Sequence, residues 1–310
     1  MRAVVFGYHD VGDRCLRALL SAGFDVSLVV THADDDAERP WFANVASTAA
    51  DYGLPCVAPA DIGAAGLLER VRRIDPQFIF SFYYRSLLGP ELLAAARLAA
   101  LNMHGSLLPK YRGRAPVNWA ILNGETETGA TLHHMVARAD AGDIVEQQAV
   151  PILADDTAFE VMRKVTVAAE IALLRAAPTL LAGQVHGSAQ SLSEGRYFGR
   201  RRAEDGRIDW ARKAREIHNL VRAVAPPYPG AFGLVGEECW WVHRTRCIAR
   251  EPRGGADSGA RLIGIGGRCV VQCAVGTEDL LLLAAATTAG PVDLAASAEQ
   301  LADKPIVLAA

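Results

Sequence analysis

Short apolar runs alternate with longer amphipathic stretches along the first hundred residues. "AVVFG" is followed by "VGDRCLRALLSAGF" and then "DVSLVVTH", which predicts a strand, a helix ending before Gly23 and a second strand, one βαβ unit. The alternation repeats: "VASTAADYG" predicts a helix, "LPCVAP" a strand, "GLLERVRRI" a helix and "QFIFSFYYR" a strongly apolar strand. Strands in this rhythm, apolar on both faces, imply a mostly parallel, doubly wound α/β sheet. After "DIVEQQAVPI", the stretch "TAFEVMRKVTVAAEIALLRAAPTLLAG" predicts a long helix broken or bent near Pro178.

The texture turns polar and turn-forming from "SAQSLSEGRYFGRRRAEDGRIDW" onward. A catalytic domain over 1–190, a linker over 191–208 and a second domain over 209–310 are expected, in keeping with a length beyond one usual core. "KAREIHNLVRAVA" predicts a short helix. "FGLVGEECWWVHRTRCIA", "ARLIGIGG", "RCVVQCAVG" and "EDLLLLAAATTA" predict short strands separated by glycines, as in a small barrel. The "GIGG" at 264–267, between strands and with no following helix, reads as turn chemistry.

Composition narrows the function. A net charge of −3 from 32 basic and 35 acidic residues gives no sign of a nucleic-acid partner. The first apolar run is too short for a signal segment or a membrane span, so a cytoplasmic protein without membrane insertion is expected. The six cysteines lack zinc-site spacing and read as buried free thiols. The first turn, Gly7 to Gly12, is not GxGxxG, so no NAD is expected.

The chemistry concentrates in "LNMHGSLLPKYRGRAPVNWAILNGETETGATLHHM", residues 101–135. Asn102 and His104 are two apart at what reads as the end of a strand, hence on one side at the carboxyl edge where open α/β sheets bind ligands. Gly105 then lets the chain turn, and Asp140, in "RADAGDIV", precedes a strand that could return to the same edge. A carboxylate beside an imidazole favours the charged ring, so His104 is expected to have a raised pKa and to serve as an acid. An amide donor and an imidazole suit acyl transfer to an external nucleophile, with no covalent intermediate required. Ser106 lacks the GxSxG elbow of a hydrolase nucleophile. His133 and His134 are adjacent, so on a strand they point oppositely and make a poor metal pair; no metal is expected.

Asn102, His104, the run from Ser106 to Gly113, Pro116, "TGATLH" from Thr128 and "DAG" at 140–142 together resemble the 10-formyltetrahydrofolate-dependent formyltransferases. The resemblance covers nearly the whole chain. It implies a Rossmann-like first domain carrying catalytic Asn102, His104 and Asp140, and a second domain similar to an open OB-like β-barrel. "FSFYYRSLL", "HGSLLPKYRGRAPVNWAILNGETETG" and "YFGRRRAEDGRIDW" look like the formyltransferase half of the bifunctional enzymes that modify UDP-4-amino-4-deoxy-L-arabinose for lipid A decoration. Those enzymes continue into a decarboxylase domain; this chain stops at Ala310, so decarboxylation is expected of another polypeptide. By motif position the folate would be held by Ser86, Leu87, Leu88, Arg114, Val136, Ala137, Arg138, Ala139 and Asp140. Tyr111, Arg200 and Arg201 are candidates for the sugar nucleotide. Alternatives are methionyl-tRNA, another nucleotide-linked amino sugar, or a folate-binding protein without catalysis. A tRNA enzyme needs a basic surface, whereas the chain from Asp209 onward carries eleven basic and eleven acidic side chains.

Overall fold

The computed structural model describes residues 1–33, 41–63, 65–250 and 259–308. They fall into two compact units, the first made of 1–116, 127–151 and 162–199, the second of 117–126, 152–161 and 200–310.

The first unit is built on a seven-stranded sheet: β1 (Arg2–Gly7), β2 (Asp25–Val30), β3 (Cys56–Val57), β4 (Phe78–Phe82), β5 (Ala99–His104), β7 (Glu127–His134) and β8 (Ile144–Pro151). Its order is β3-β2-β1-β4-β5-β7-β8, parallel from β3 through β5 and antiparallel for the last two strands. Every residue of β4 and all but the first of β1 are buried, which is why these runs are apolar throughout rather than alternating. Helix α1 (His9–Ala22) buries Val11, Cys15, Leu16 and Leu19 on one face and ends at Gly23, whose φ of 96° lets its N–H close on Leu19 and Leu20 carbonyls. Helices α2 (Val45–Asp51), α3 (Ala65–Ile74), α4 (Pro90–Leu93), α5 (Pro116–Leu122) and α6 (Ala158–Leu181) follow in chain order. A two-strand ladder of β6 (Arg112–Gly113) and β9 (Tyr197–Phe198) adds to the unit. The chain moves outward from β1 to β3, then returns to β4 on the other side of β1, so the carboxyl ends of β1, β4 and β5 lie level at the switch point.

The second unit is an antiparallel, nearly closed, barrel-like sheet of β10 (Ala231–Val235), β11 (Glu238–Ala249), β14 (Glu278–Thr287), β13 (Arg268–Gln272), β12 (Ala260–Ile265) and β16 (Ile306–Leu308), in that order, with β15 (Gly290–Pro291) beside β14. Helix α7 (Ala214–Val224) buries three polar side chains, and each finds a partner. His218 donates from Nε2 to the Ala154 carbonyl and accepts at Nδ1 from Thr245, both at 2.9 Å. Arg222 bonds Asn219 and the Asp156 carbonyl.

The parallel sheet and the barrel-like sheet agree with the expected fold class. Three local expectations do not hold. The long helix is not broken at Pro178 but continues to Leu181. The strand read through Arg85 stops at Phe82, since Tyr83 turns into the left-handed region at φ 58°. The glycine run is turn only in Gly266 and Gly267; Gly264 lies in β12, where a Cβ would sit 1.8 Å from the Ala298 carbonyl of α8 (Leu294–Asp303). Neither α8 nor β16 was anticipated. Gly264→Ala is therefore expected to destabilise the protein by about 1–3 kcal/mol through overpacking, read as a lower urea midpoint at unchanged slope.

Candidate active site

Strand β5 ends at His104, and antiparallel pairing sets Asn102 opposite His133 and His104 opposite Thr131 of β7. The loop of residues 135–143 between β7 and β8 then returns Asp140 to this edge, with Asp140 at φ 54°. Its Oδ1 lies 3.6 Å from His104 Nδ1 and 3.6 Å from His133 Nε2, and its Oδ2 accepts the Gly113 N–H at 2.8 Å. Asn102, His104 and Asp140 are thus brought together at the carboxyl edge.

The hydrogen bonds determine the tautomers. A carbonyl only accepts, so His104 Nε2, 2.8 Å from the Tyr111 carbonyl, carries a proton, and Nδ1 toward Asp140 is the atom that can gain one. His133 likewise donates from Nδ1 to the His134 carbonyl at 2.8 Å. Its Nε2 therefore accepts from Asn102 Nδ2 at 3.0 Å, which orients the amide and leaves its second N–H available as a donor.

The expected rise in the His104 pKa is not what the site produces. Burial lowers it below the usual histidine value, and Asp140 and the Tyr111 carbonyl offset this only in part. His104 is 6% exposed, and excluding water from the charged ring costs more than one carboxylate at 3.6 Å returns. Burial also pushes the Asp140 carboxyl up, but His104, His133 and the Gly113 N–H together outweigh it and hold Asp140 well below the ordinary carboxylate range. The resting site is an ionised Asp140 beside a neutral His104.

Ser106 is buried and donates to the Lys110 carbonyl at 2.6 Å, so its hydroxyl shapes the loop. Thr131 donates to the Ser106 carbonyl and accepts from the Leu108 N–H and from Gln147, which also reaches the Leu108 carbonyl. Arg114 is exposed directly after Gly113, and its N–H bonds the Phe198 carbonyl. Ser86 and Leu88 are partly buried and Leu87 is 78% exposed; Leu88 packs with Met135 on the core cluster under β1 and β4. Val136, Ala137 and Arg138 run over the surface from there toward Ala139 and Asp140. The Tyr111 ring is buried in a stack on Phe198 at 5.0 Å, so what it presents to His104 is its carbonyl. Arg200 and Arg201 fall in the second unit, where the Arg201 guanidinium lies over the Trp119 ring at 4.9 Å.

His133 holds the Asn102 amide, a role that its place beside His134 in the sequence does not reveal. Period two on β7 puts Thr131 and His133 on the face that meets His104 and Asn102, and the antiparallel register that does so is not local information. Among the described residues no cluster of three or more His, Cys, Asp or Glu could hold a metal ion.

Fold and site together define a class: a two-unit α/β protein whose amide, imidazole and carboxylate can support acyl transfer to an external nucleophile. The chain belongs to the formyl transferase family, the formyl transferase domain matching residues 1–177 and the formyl transferase C-terminal domain residues 201–291. Its fold is similar to that of WlaRD, a sugar 3N-formyl transferase solved in the presence of dTDP and 5-N-formyl-THF (18% identity, TM-score 0.69, 91% of this chain and 97% of that one). It is similar also to an N-formyltransferase from Helicobacter canadensis in complex with folinic acid and dTDP-3-aminofucose (18%, 0.71, 90% and 98%). A third likeness is to a 4-N formyltransferase from Francisella tularensis (22%, 0.60, 74% and 91%).

The histidine shifts predict a pH dependence of stability. Burial lowers His104 and His218, and pushes His9 down to about 4. The unfolded chain thus takes up these protons first, near pH 6.5, so the stability is fully present above that value and is lost as pH falls toward the folded values. Asp140 adds a loss in the same direction below about pH 4. Calorimetry should show a flat Tm above pH 7 and a steady fall from 6.5 to 4, shallower in His9→Asn, which tolerates the φ of 65° at that position. A Tm unchanged between pH 7 and 5 would contradict the assignment.

Proposed function

We propose that the protein transfers a formyl group from 10-formyltetrahydrofolate to the 4-amino group of UDP-4-amino-4-deoxy-L-arabinose, an amine made ready for lipid A decoration. The observation carrying the reaction type is that Asp140 Oδ1 lies 3.6 Å from His104 Nδ1 while His133 Nε2 holds the Asn102 amide at 3.0 Å beside them. The family supports formyl transfer, and the proteins of similar fold that were solved with formyl-THF or folinic acid support a folate donor. The 4-amino position and the UDP group rest on "FSFYYRSLL" and "YFGRRRAEDGRIDW", and the 4-N formyltransferase of similar fold supports the former.

In this reading the amine lone pair attacks the formyl carbon, and the carbonyl electrons move to oxygen, where the free N–H of Asn102 stabilises the charge. As the new C–N bond forms, His104 takes the proton lost by the amine at Nδ1, and the imidazolium is held between the Tyr111 carbonyl and Asp140. Collapse breaks the bond between the formyl carbon and N10 of the folate, and His104 returns the proton to N10. A neutral resting His104 suits this cycle better than the acid expected from sequence, since a base must be free to accept. Ser86, Leu87, Leu88, Arg114 and residues 136–140 are assigned to the folate; Tyr111, Arg200 and Arg201 to the sugar nucleotide.

A dTDP-linked amino sugar is the second reading, favoured by the two proteins of similar fold solved with dTDP or dTDP-3-aminofucose, which match over nearly their full lengths. Mass spectrometry of UDP-4-amino-4-deoxy-L-arabinose, dTDP-linked 3- and 4-amino sugars and methionyl-tRNA, each incubated with the protein and 10-formyltetrahydrofolate, separates them. Fastest formylation of the UDP-pentose is expected, and a better kcat/KM on methionyl-tRNA would overturn the acceptor. Asn102→Ala, His104→Ala and Asp140→Ala should each lower kcat/KM about 10²-fold or more, with effects far from additive because the groups serve one intermediate. Near-normal turnover in two of the three would remove the mechanism.

A further inference from the structure

Asp140 acts through its side chain, but its backbone must first be held. Its φ of 54° lies in the left-handed region, which a non-glycine residue keeps only where the surroundings impose it. The loop closes on itself through the His134 N–H to the Asp143 carbonyl at 2.9 Å and the Ala141 N–H to the Arg138 carbonyl at 3.3 Å. Neither bond engages Asp140. Its carbonyl is instead held from outside the loop: Gln190 Nε2 donates to it at 3.1 Å and also donates to the Gly142 carbonyl.

Gln190 is itself carried to this place by the chain that follows α6. Ser188 and Ile144 exchange two backbone hydrogen bonds of 2.8 Å each, and Gly187 lies so near the loop that a Cβ there would sit 2.6 Å from Asp143 Cβ. Two residues past the bridge, Gln190 directs its Nε2 donors at the loop, while its Oε1 is shielded from water and has no hydrogen-bond partner among the described residues. Turning the amide over would set that oxygen against two carbonyls, so its partners fix its orientation. A buried acceptor left unpaired lowers stability, and the site tolerates one here for the sake of the two donor bonds.

We propose that Gln190 is a positioning residue for formyl transfer: by holding the Asp140 and Gly142 carbonyls it fixes the backbone on which the Asp140 carboxylate stands, and with it the approach of that carboxylate to His104. The inference rests on the formyl-transfer reading. The physical reason is that aspartate is short, so a shift of its backbone passes to the carboxylate almost undiminished. A displacement of about 1 Å at a reaction centre can cost about 10²-fold in rate. The titratable groups facing His104 among the described residues are Asp140 and His133. Gln190 carries no charge, so its effect on His104 must pass through Asp140.

The test uses Gln190→Met, Gln190→Asn and Gln190→Glu, with Gln190→Met also combined with Asp140→Asn, a change that removes the charge and tolerates φ 54°. Each is assayed with 10-formyltetrahydrofolate and the amino-sugar nucleotide that the wild type formylates fastest, well below its own Tm, so that lost stability does not enter the rates. Gln190→Met should lower kcat about tenfold with KM for the amine within about twofold. The acidic limb of its kcat/KM profile should move to lower pH, because Asp140 raises the proton affinity of His104 and its withdrawal lets burial lower it further. Gln190→Asn, one bond too short to reach both carbonyls, should behave alike. Gln190→Glu keeps the shape but sets a carboxylate against two carbonyls, and at about pH 8 should lose at least as much. With Asp140→Asn already present, Gln190→Met should change kcat/KM by less than about twofold, since no carboxylate is left to position. A residue that only supports the fold would give the same loss in both backgrounds and leave the pH limb in place. Either result, or wild-type turnover in Gln190→Glu, overturns the proposal with formyl transfer intact. A wild-type protein that formylates no amine overturns the reading on which it rests.

Discussion

A buried carboxylate organises the first unit. Asp140 is largely shielded from water, and an unpaired charge there would cost several kcal/mol, so the chain must bring partners to it. They come from three separate segments: His104 from β5, His133 from β7 and the Gly113 N–H from β6. One group therefore couples the end of the parallel sheet to its antiparallel edge and to the loop after β5. The turn that carries it is held from behind by Gln190, which donates to the Asp140 and Gly142 carbonyls, and Gly142 lies so close to the His134 carbonyl that no side chain would fit.

The same requirement shapes the loop from Ser106 to Arg112. Its polar groups face inward, and Thr131, Gln147 and the Ser106 hydroxyl satisfy them. Arg112, itself buried, reaches the Leu192 and Gly195 carbonyls, and Gly195 has no side chain because the Pro109 carbonyl occupies that space. A loop fixed this way delivers the Tyr111 carbonyl to His104 without reorganisation. Donors and acceptors already in place are what an acyl-transfer site needs, since charge then develops into a prepared field.

These constraints also account for the electrostatics. One carboxylate serves two histidines, and both rings are engaged at their other nitrogens by backbone carbonyls. The arrangement stabilises a proton on His104 once it arrives, yet burial keeps it from resting there. In the proposed cycle the ring gains a proton and surrenders it again, which that balance suits.

Local pattern was enough for many of the elements and for part of the site. The period of two set Asn102 and His104 on one side of a strand end, apolar runs marked β1, β2 and β4, and the motif around them identified the family. Helix α8 has few large apolar positions and β16 is an apolar run of only three residues, so neither stands out in the pattern, and α6 continues through Pro178 to Leu181. The rest was decided in three dimensions. The role of His133 depends on the antiparallel register of β7 against β5, the hold on the Asp140 backbone on where the Gln190 amide falls, and the proton affinity of His104 on how much water the surrounding chain excludes. Residue types and spacings specify which groups are available; register and desolvation are sums over distant segments, and only the assembled structure fixes them.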